Sequence, residues 1–264
     1  MNIIESIILG LLQGLTEFIP ISSSGHLVVA QYFFSGASNH LFLEWINIGT
    51  MCALLVYFRR KIVSIIYDVV QLRKYSLAGN ILITSVPAGL VGFFASDIIA
   101  THVFFGSIVV VAIMSGLVGV IMIVLEKLPK ASAVANGEKL SPMRAFAIGI
   151  AQMIALIPGT SRSGATIIAG RLSGLSAKEA AEYSFLASLP IMVGVTAKVV
   201  FKDNEYFFAN IEMLVVANLI AFVSGLFAVG FLMRYLAKHS LAVFGWYRLG
   251  LTAVIIGTIL LQSR

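Results

Sequence analysis

Two short runs of this chain place residues suited to phosphate chemistry at points where an apolar helix must break. The first is Gln13-Gly-Leu-Thr-Glu17-Phe-Ile-Pro20-Ile-Ser22-Ser23-Ser24-Gly25-His26, and the second is Pro158-Gly-Thr-Ser161-Arg162-Ser163-Gly-Ala-Thr166. Gln13 and Glu17 are four residues apart and share one helix face. A carboxylate and an amide oxygen on adjacent turns suit a hard divalent cation, Mg2+ or Ca2+; the alternative is a polar pair that packs two helices together. Ser22, Ser23, Ser24 and Gly25 open a helix. Their free N–H groups and hydroxyls form an anion site, or else simply cap that helix. His26 can act as base, acid or nucleophile near neutral pH, or serve as a structural histidine. Arg162 presents a rigid fork matched to phosphate oxygens, with an ion pair to Glu17 as its alternative. Ser161, Ser163 and, one turn on, Thr166 add hydroxyls for holding phosphate. A divalent cation, an anion site and an arginine together point to phosphoryl transfer, where positioning and charge neutralisation do most of the catalysis.

These runs must be held by membrane elements. The chain has 264 residues, 59% hydrophobic and 11% charged, with a mean hydropathy of +0.99. Soluble domains carry about 25% charged residues, so a soluble enzyme is excluded and an all-α polytopic membrane protein is expected. The substrate expected at such a site is a lipid-linked phosphate. The excess of 18 Lys and Arg over 12 Asp and Glu is assigned to loop orientation and anionic lipid head groups, not to nucleic acid. One cysteine, Cys52, excludes an intrachain disulfide. The apolar N-terminus lacks a basic leader and a cleavage site, so it is expected to be retained.

Six runs are long enough to span: 41–58, 77–96, 103–125, 180–200, 211–233 and 243–262. Arg248 lies near one end of the last, where its stem is expected to snorkel. Stretches 3–34 and 144–172 are apolar but broken in the middle, and are expected to be re-entrant helical hairpins with their tips buried in protein. Residues 61–75 are expected to form a surface helix. At a fixed offset of 139, Gly10, Gln13, Ser22, Ser24, Gly25 and Ala30 match Gly149, Gln152, Ser161, Ser163, Gly164 and Ala169. This predicts two inverted-topology repeats, 1–134 and 135–264, each one hairpin plus three spans, with both tips near the midplane. The first 58 residues contain no Lys or Arg. The positive-inside rule therefore puts 59–76, 126–144, 171–179 and 234–242 in the cytoplasm, and 97–102, 201–210 and both termini outside.

The same residues carry a resemblance. The run Gln13 to His26, the intact Pro-Gly-x-Ser-Arg-Ser-x-x-Thr run from Pro158 to Thr166, and Glu182-Tyr-Ser-Phe-Leu-Ala-Ser-Leu-Pro190 together resemble the undecaprenyl-diphosphate phosphatases of the bacitracin-resistance type. That resemblance implies a cell-membrane enzyme that hydrolyses undecaprenyl diphosphate to the monophosphate carrier and inorganic phosphate, recycling the lipid used for cell-wall precursors. It also implies a divalent metal, an inverted-repeat fold, an active site open to the outer side and a link to bacitracin resistance. Glu17 and Gln13 would hold the metal or orient the nucleophile. Ser23 or His26 would attack phosphorus or assist a water, and Arg162, Ser161, Ser163 and Thr166 would hold the diphosphate beside Ser22 and Ser24. Many members have Glu where this chain has Gln13, which argues against a proton-accepting role there. A prenyl-phosphate flippase using the same midplane site is the competing reading, and a homodimer is left open. A histidine-nucleophile membrane phosphatase is disfavoured, because no Lys…Arg-Pro segment precedes the motifs and no histidine follows Arg162 at the needed spacing.

Overall fold

The computed structural model describes residues 1–30, 34, 39–128 and 134–262. Among them every regular element is a helix, in the order α1 (Ile3–Phe18), α2 (Ser23–Ala30), α3 (His40–Tyr57), α4 (Arg59–Val70), α5 (Ser76–Phe94), α6 (Ser96–Thr101), α7 (Val103–Gly106) and α8 (Ile108–Leu125). After a 3-10 turn at Gly137–Lys139 come α9 (Pro142–Ile154), α10 (Arg162–Leu172), α11 (Ala177–Lys202), α12 (Asn204–Ala209), α13 (Ile211–Leu236) and α14 (Ala242–Gln262). Six of these, α3, α5, α8, α11, α13 and α14, are long and apolar enough to cross a membrane. The span expected over 103–125 begins later. Ser107 caps α8, its Oγ accepting from the Val110 N–H, and 103–106 form a separate turn. The surface helix runs over Arg59–Val70, a little earlier than 61–75, and buries no residue.

The two interrupted stretches are indeed broken. At 1.5 Å per residue, the 16 residues of α1 reach about 24 Å and the 13 of α9 about 20 Å, short of the roughly 30 Å hydrocarbon core. Asn2 starts α1 through a capping box with Glu5, and Ser141 with Pro142 at the first helical position starts α9. Pro20 and Pro158 follow the ends of these helices, because a proline cannot donate to the preceding turn. The far end of the first stretch, 31–33, lies outside the described residues, as does 129–133 of the connection between α8 and α9.

Interhelical packing uses small residues to bring backbones together. Helix α1 lies on α13 and α9 lies on α5. A Cβ at Gly149 would sit 2.7 Å from the Thr84 carbonyl oxygen of α5, and one at Gly10 would run into the Ala217 carbonyl of α13. Helices α8 and α14 cross at Gly119 and Gly245, each against the other's carbonyl. Around α9, Thr84 Oγ1 donates to the Ala145 carbonyl at 2.9 Å, Tyr183 OH to the Asn80 carbonyl at 2.8 Å, and Ser85 Oγ to the Ala187 carbonyl at 2.8 Å. Those bonds lock α5, α9 and α11 into one body. Gly149→Val forces α9 off α5 and should cost about 1–3 kcal/mol, read as a lowered thermal midpoint in detergent; an unchanged midpoint would mean the helices do not touch there.

Candidate active site

The two chain breaks meet. Glu17, in the last turn of α1, and Arg162, the first residue of α10, are 145 positions apart in sequence, yet Arg162 Nη2 donates to Glu17 Oε1 at 2.6 Å. The other carboxylate oxygen, Oε2, accepts from Ser23 Oγ at 2.9 Å and from Gln13 Nε2 at 3.0 Å. Gln13 Nε2 also donates to Asn47 Oδ1 on α3 at 2.7 Å, and Asn47 Nδ2 is anchored on the Leu43 carbonyl. Glu17 is therefore the hub of a network drawn from α1, α2, α3 and α10. Beside it lies a cavity of about 230 Å³ lined by Glu17, Ser23, Ser24, Ala155, Leu156, Pro158, Ser161 and Arg162. Both helix starts, α2 and α10, border it, so their positive N-terminal ends face the space an anion would take.

The offset-139 matches have a local structural meaning. Ser22 and Ser161 adopt left-handed backbone with φ of 74° and 68°, unusual for a residue with a Cβ. Each uses its Oγ to accept the N–H three residues on, from Gly25 and Gly164, both at 3.2 Å. Each also shares a hydrogen bond with the serine two positions later, Ser24 at 3.0 Å and Ser163 at 3.2 Å. The same turn is built twice, and each helix restarts immediately after it. The copies differ where chemistry is needed: the positions equivalent to Glu17 and Ser23 are Leu156 and Arg162.

Not every expected residue faces the cavity. Ser23, Ser24, Ser161, Arg162 and Glu17 do. Ser22 is fully buried in the cap, and Ser163 is 3% exposed, its Oγ reaching the Glu17 carbonyl at 3.4 Å. Thr166, expected among the phosphate-holding hydroxyls, is directed inward instead. Its Oγ1 donates to the Arg162 carbonyl at 2.7 Å and meets Ser184 Oγ of α11. Although one turn from Arg162 keeps it near the same helix face, these two bonds tie its hydroxyl into the α10–α11 contact. His26 is not a cavity-lining residue either. Its Nε2 lies 2.7 Å from Tyr247 OH and its Nδ1 2.8 Å from the Ser22 carbonyl, and its ring stacks on Tyr247 of α14. Gln13 turns its amide nitrogen toward Glu17, so as placed it orients that carboxylate.

The expectation that Arg248 snorkels is wrong. The residue is 0% exposed. Breaking two helices inside the protein frees backbone carbonyls, and Pro20, Gly159 and Thr160 in the breaks supply three of the four acceptors that hold the buried guanidinium, with Ser115 of α8 the fourth. Burying an ion costs several kcal/mol; four bonds from this charged donor, about 1.5–3 kcal/mol each, offset it. An ionisable residue inside a span is a functional candidate by default, and that signal was present in the sequence at Arg248. Polar groups at other span ends pair at the surface: Lys198 with Glu44 at 3.1 Å and Lys61 with Glu182 at 3.2 Å.

The chemistry of the donors bears on the expected cation. Among the described residues there is no group of three His, Cys, Asp or Glu side chains that would hold a metal alone. The cavity offers one carboxylate and several hydroxyls. Oxygen donors of this kind suit a hard cation such as Mg2+ or Ca2+, which Glu17, with Gln13 beside it, would hold with most of its ligand shell supplied from elsewhere.

The chain matches a family whose description is bacitracin resistance protein BacA over residues 6–254. It is similar to curated relatives along nearly its whole length. An undecaprenyl-diphosphatase of Nitrosomonas eutropha is 35% identical over 259 residues, covering 97% of this chain and 94% of the relative. Undecaprenyl-diphosphatase 2 of Shewanella oneidensis is 36% identical, with 96% of each chain covered. Undecaprenyl-diphosphatase 1 of Mesorhizobium japonicum is 37% identical, covering 97% of this chain and 98% of the relative.

Proposed function

The chain belongs to the BacA bacitracin-resistance family, and on that premise we infer that it is an undecaprenyl-diphosphatase. It is a multi-pass membrane hydrolase that converts undecaprenyl diphosphate to undecaprenyl phosphate and inorganic phosphate, so recycling the lipid carrier of cell-wall synthesis and conferring bacitracin resistance. The observation that carries the reading to this chain's own residues is the Glu17–Arg162 pair, 2.6 Å across two chain breaks beside a polar-edged cavity.

For the reaction we propose that the incoming diphosphate takes Arg162 from Glu17. The guanidinium fork turns to phosphate oxygens, with the Ser161 and Ser24 hydroxyls and the starts of α2 and α10 adding donors. Released from Arg162, Glu17 accepts the proton of Ser23 Oγ, already 2.9 Å away. Ser23 Oγ forms a bond to the terminal phosphorus and the bridging P–O bond breaks, its electrons leaving with undecaprenyl phosphate. Glu17 passes that proton to the departing phosphate and, a carboxylate again, takes one from water, whose oxygen bonds to phosphorus as the P–Oγ bond breaks; the proton returns from Glu17 to Ser23 Oγ and inorganic phosphate leaves. What favours Ser23 over His26 is placement: Ser23 lines the cavity on the carboxylate, whereas the imidazole is held by Tyr247 and Ser22. A divalent cation, when bound, neutralises charge on the phosphate oxygens.

The finer architecture belongs to the same proposal. Residues 1–134 and 135–264 are inverted repeats, each with a re-entrant hairpin, α1–α2 or α9–α10. The reciprocal packing of α1 on α13 and α9 on α5, and the twice-built serine turn, support it. The cavity opens to the outer face and both termini are external, in keeping with Arg59, Arg60 and Lys61 in one connection and Asp97 without lysine or arginine in 97–102.

The test is phosphate release from undecaprenyl or farnesyl diphosphate by the detergent-purified protein. Release is expected to fall to background with excess EDTA and to return with Mg2+ or Ca2+. No release with any cation would overturn the reading, and full release in chelator would remove the cation from it.

A further inference from the structure

Helix α14 is remote from both motifs in sequence, yet its Arg248 reaches both. Nη1 donates to the Pro20 carbonyl in the first break at 3.3 Å. Nη2 donates to the Gly159 carbonyl in the second at 2.5 Å and to the Thr160 carbonyl at 3.1 Å. Nε donates to the Ser115 carbonyl of α8 at 3.1 Å. Thr160 immediately precedes Ser161 and Arg162, and Pro20 lies between Glu17 and Ser23. A return link exists as well, from the Gly159 N–H to Ser24 Oγ at 3.1 Å.

We propose that Arg248 is a positioning residue of the phosphatase reaction, a single guanidinium that clamps the two chain breaks at the separation that brings Glu17 and Ser23 to Arg162. Three features support it. The side chain is fully buried, so its donors have no competing water. No carboxylate pairs with it among the described residues, so its charge reaches the tips unneutralised and favours an anion there. Its approach is also built into the packing: a Cβ on Gly119 of α8 would lie 3.1 Å from Arg248 Cβ, so glycine there leaves the arginine stem room. The planar fork matters, because one ammonium cannot span four carbonyls on three separate segments.

The proposal rests on the phosphatase reading only for its turnover readout; a second readout is independent of activity. Arg248→Met and Arg248→Lys are compared with the wild type by hydrogen exchange and by steady-state kinetics on farnesyl diphosphate. In Arg248→Met, peptides covering 18–26 and 156–164 are expected to exchange at least about tenfold faster together while α13 is unchanged, with kcat/KM down about a hundredfold. Arg248→Lys is expected to stay folded, with the same two peptides loosened and kcat/KM down about tenfold. Unchanged exchange at both tips, or acceleration spread evenly over all helices, overturns the proposal. Should Arg248→Met not fold, the lysine variant decides: full tip protection with wild-type kcat/KM overturns it, and paired loosening upholds it. Absence of phosphate release by the wild type would fail the phosphatase reading alone and leave the exchange result to judge the clamp.

Discussion

Glu17→Ala and Arg162→Ala each lower kcat/KM for farnesyl diphosphate by about a thousandfold, and the double variant loses little beyond either single one. A thousandfold is about 4 kcal/mol of transition-state stabilisation, the scale expected when a preorganised charge contact is removed from a water-poor site. Non-additivity follows from the geometry. The two side chains satisfy each other at 2.6 Å and, in the proposed reaction, work on the same phosphoryl group, so losing one disables the other. Arg162→Lys is a sharper probe. It keeps the charge but replaces a planar two-pronged donor with a point charge, and is expected to recover less than a tenth of wild-type kcat/KM. Near-additive losses, or normal turnover by well-folded single variants, would detach the pair from catalysis and leave it a structural bridge.

The second large effect is at Ser23. In the proposed reaction, removing the nucleophile leaves only binding and charge stabilisation, so Ser23→Ala is expected to cost at least about ten-thousandfold in kcat with KM changed little. Acid quench of the wild type during turnover should trap an acid-stable phosphoserine at this position. His26→Ala, which removes the contact to Tyr247 at 2.7 Å but no group on the cavity, should cost only about tenfold. An acid-labile phosphohistidine, or a His26→Ala loss exceeding that of Ser23→Ala, would transfer the role. A wild type giving no adduct, with Ser23→Ala still active, would assign attack to water.

The motifs carried much of this by themselves. Gln13 and Glu17 share a face because they are four apart in a helix, and the serine turns recur because the same residues at an offset of 139 dictate the same cap. Where the helices break was legible from Pro20, Pro158 and the serine runs. Which side chains look into the cavity was not. Thr166 and His26 sit in the right runs but are rotated away by neighbours, Ser184 and Tyr247, whose positions no local pattern encodes.

Composition and periodicity fixed a helical membrane protein, six long apolar helices, two broken ones and the residue types for phosphoryl transfer, because each is a property of short range along the chain. The repeat already pointed to the two broken ends approaching one another; tertiary structure alone decided which atoms touch there, that Asn47 holds Gln13, and that Arg248 lies buried under both tips instead of reaching for the interface. A buried cation is tolerated only where freed carbonyls converge, and that convergence arises from the packing of α14 on α8, set by glycines more than a hundred residues apart.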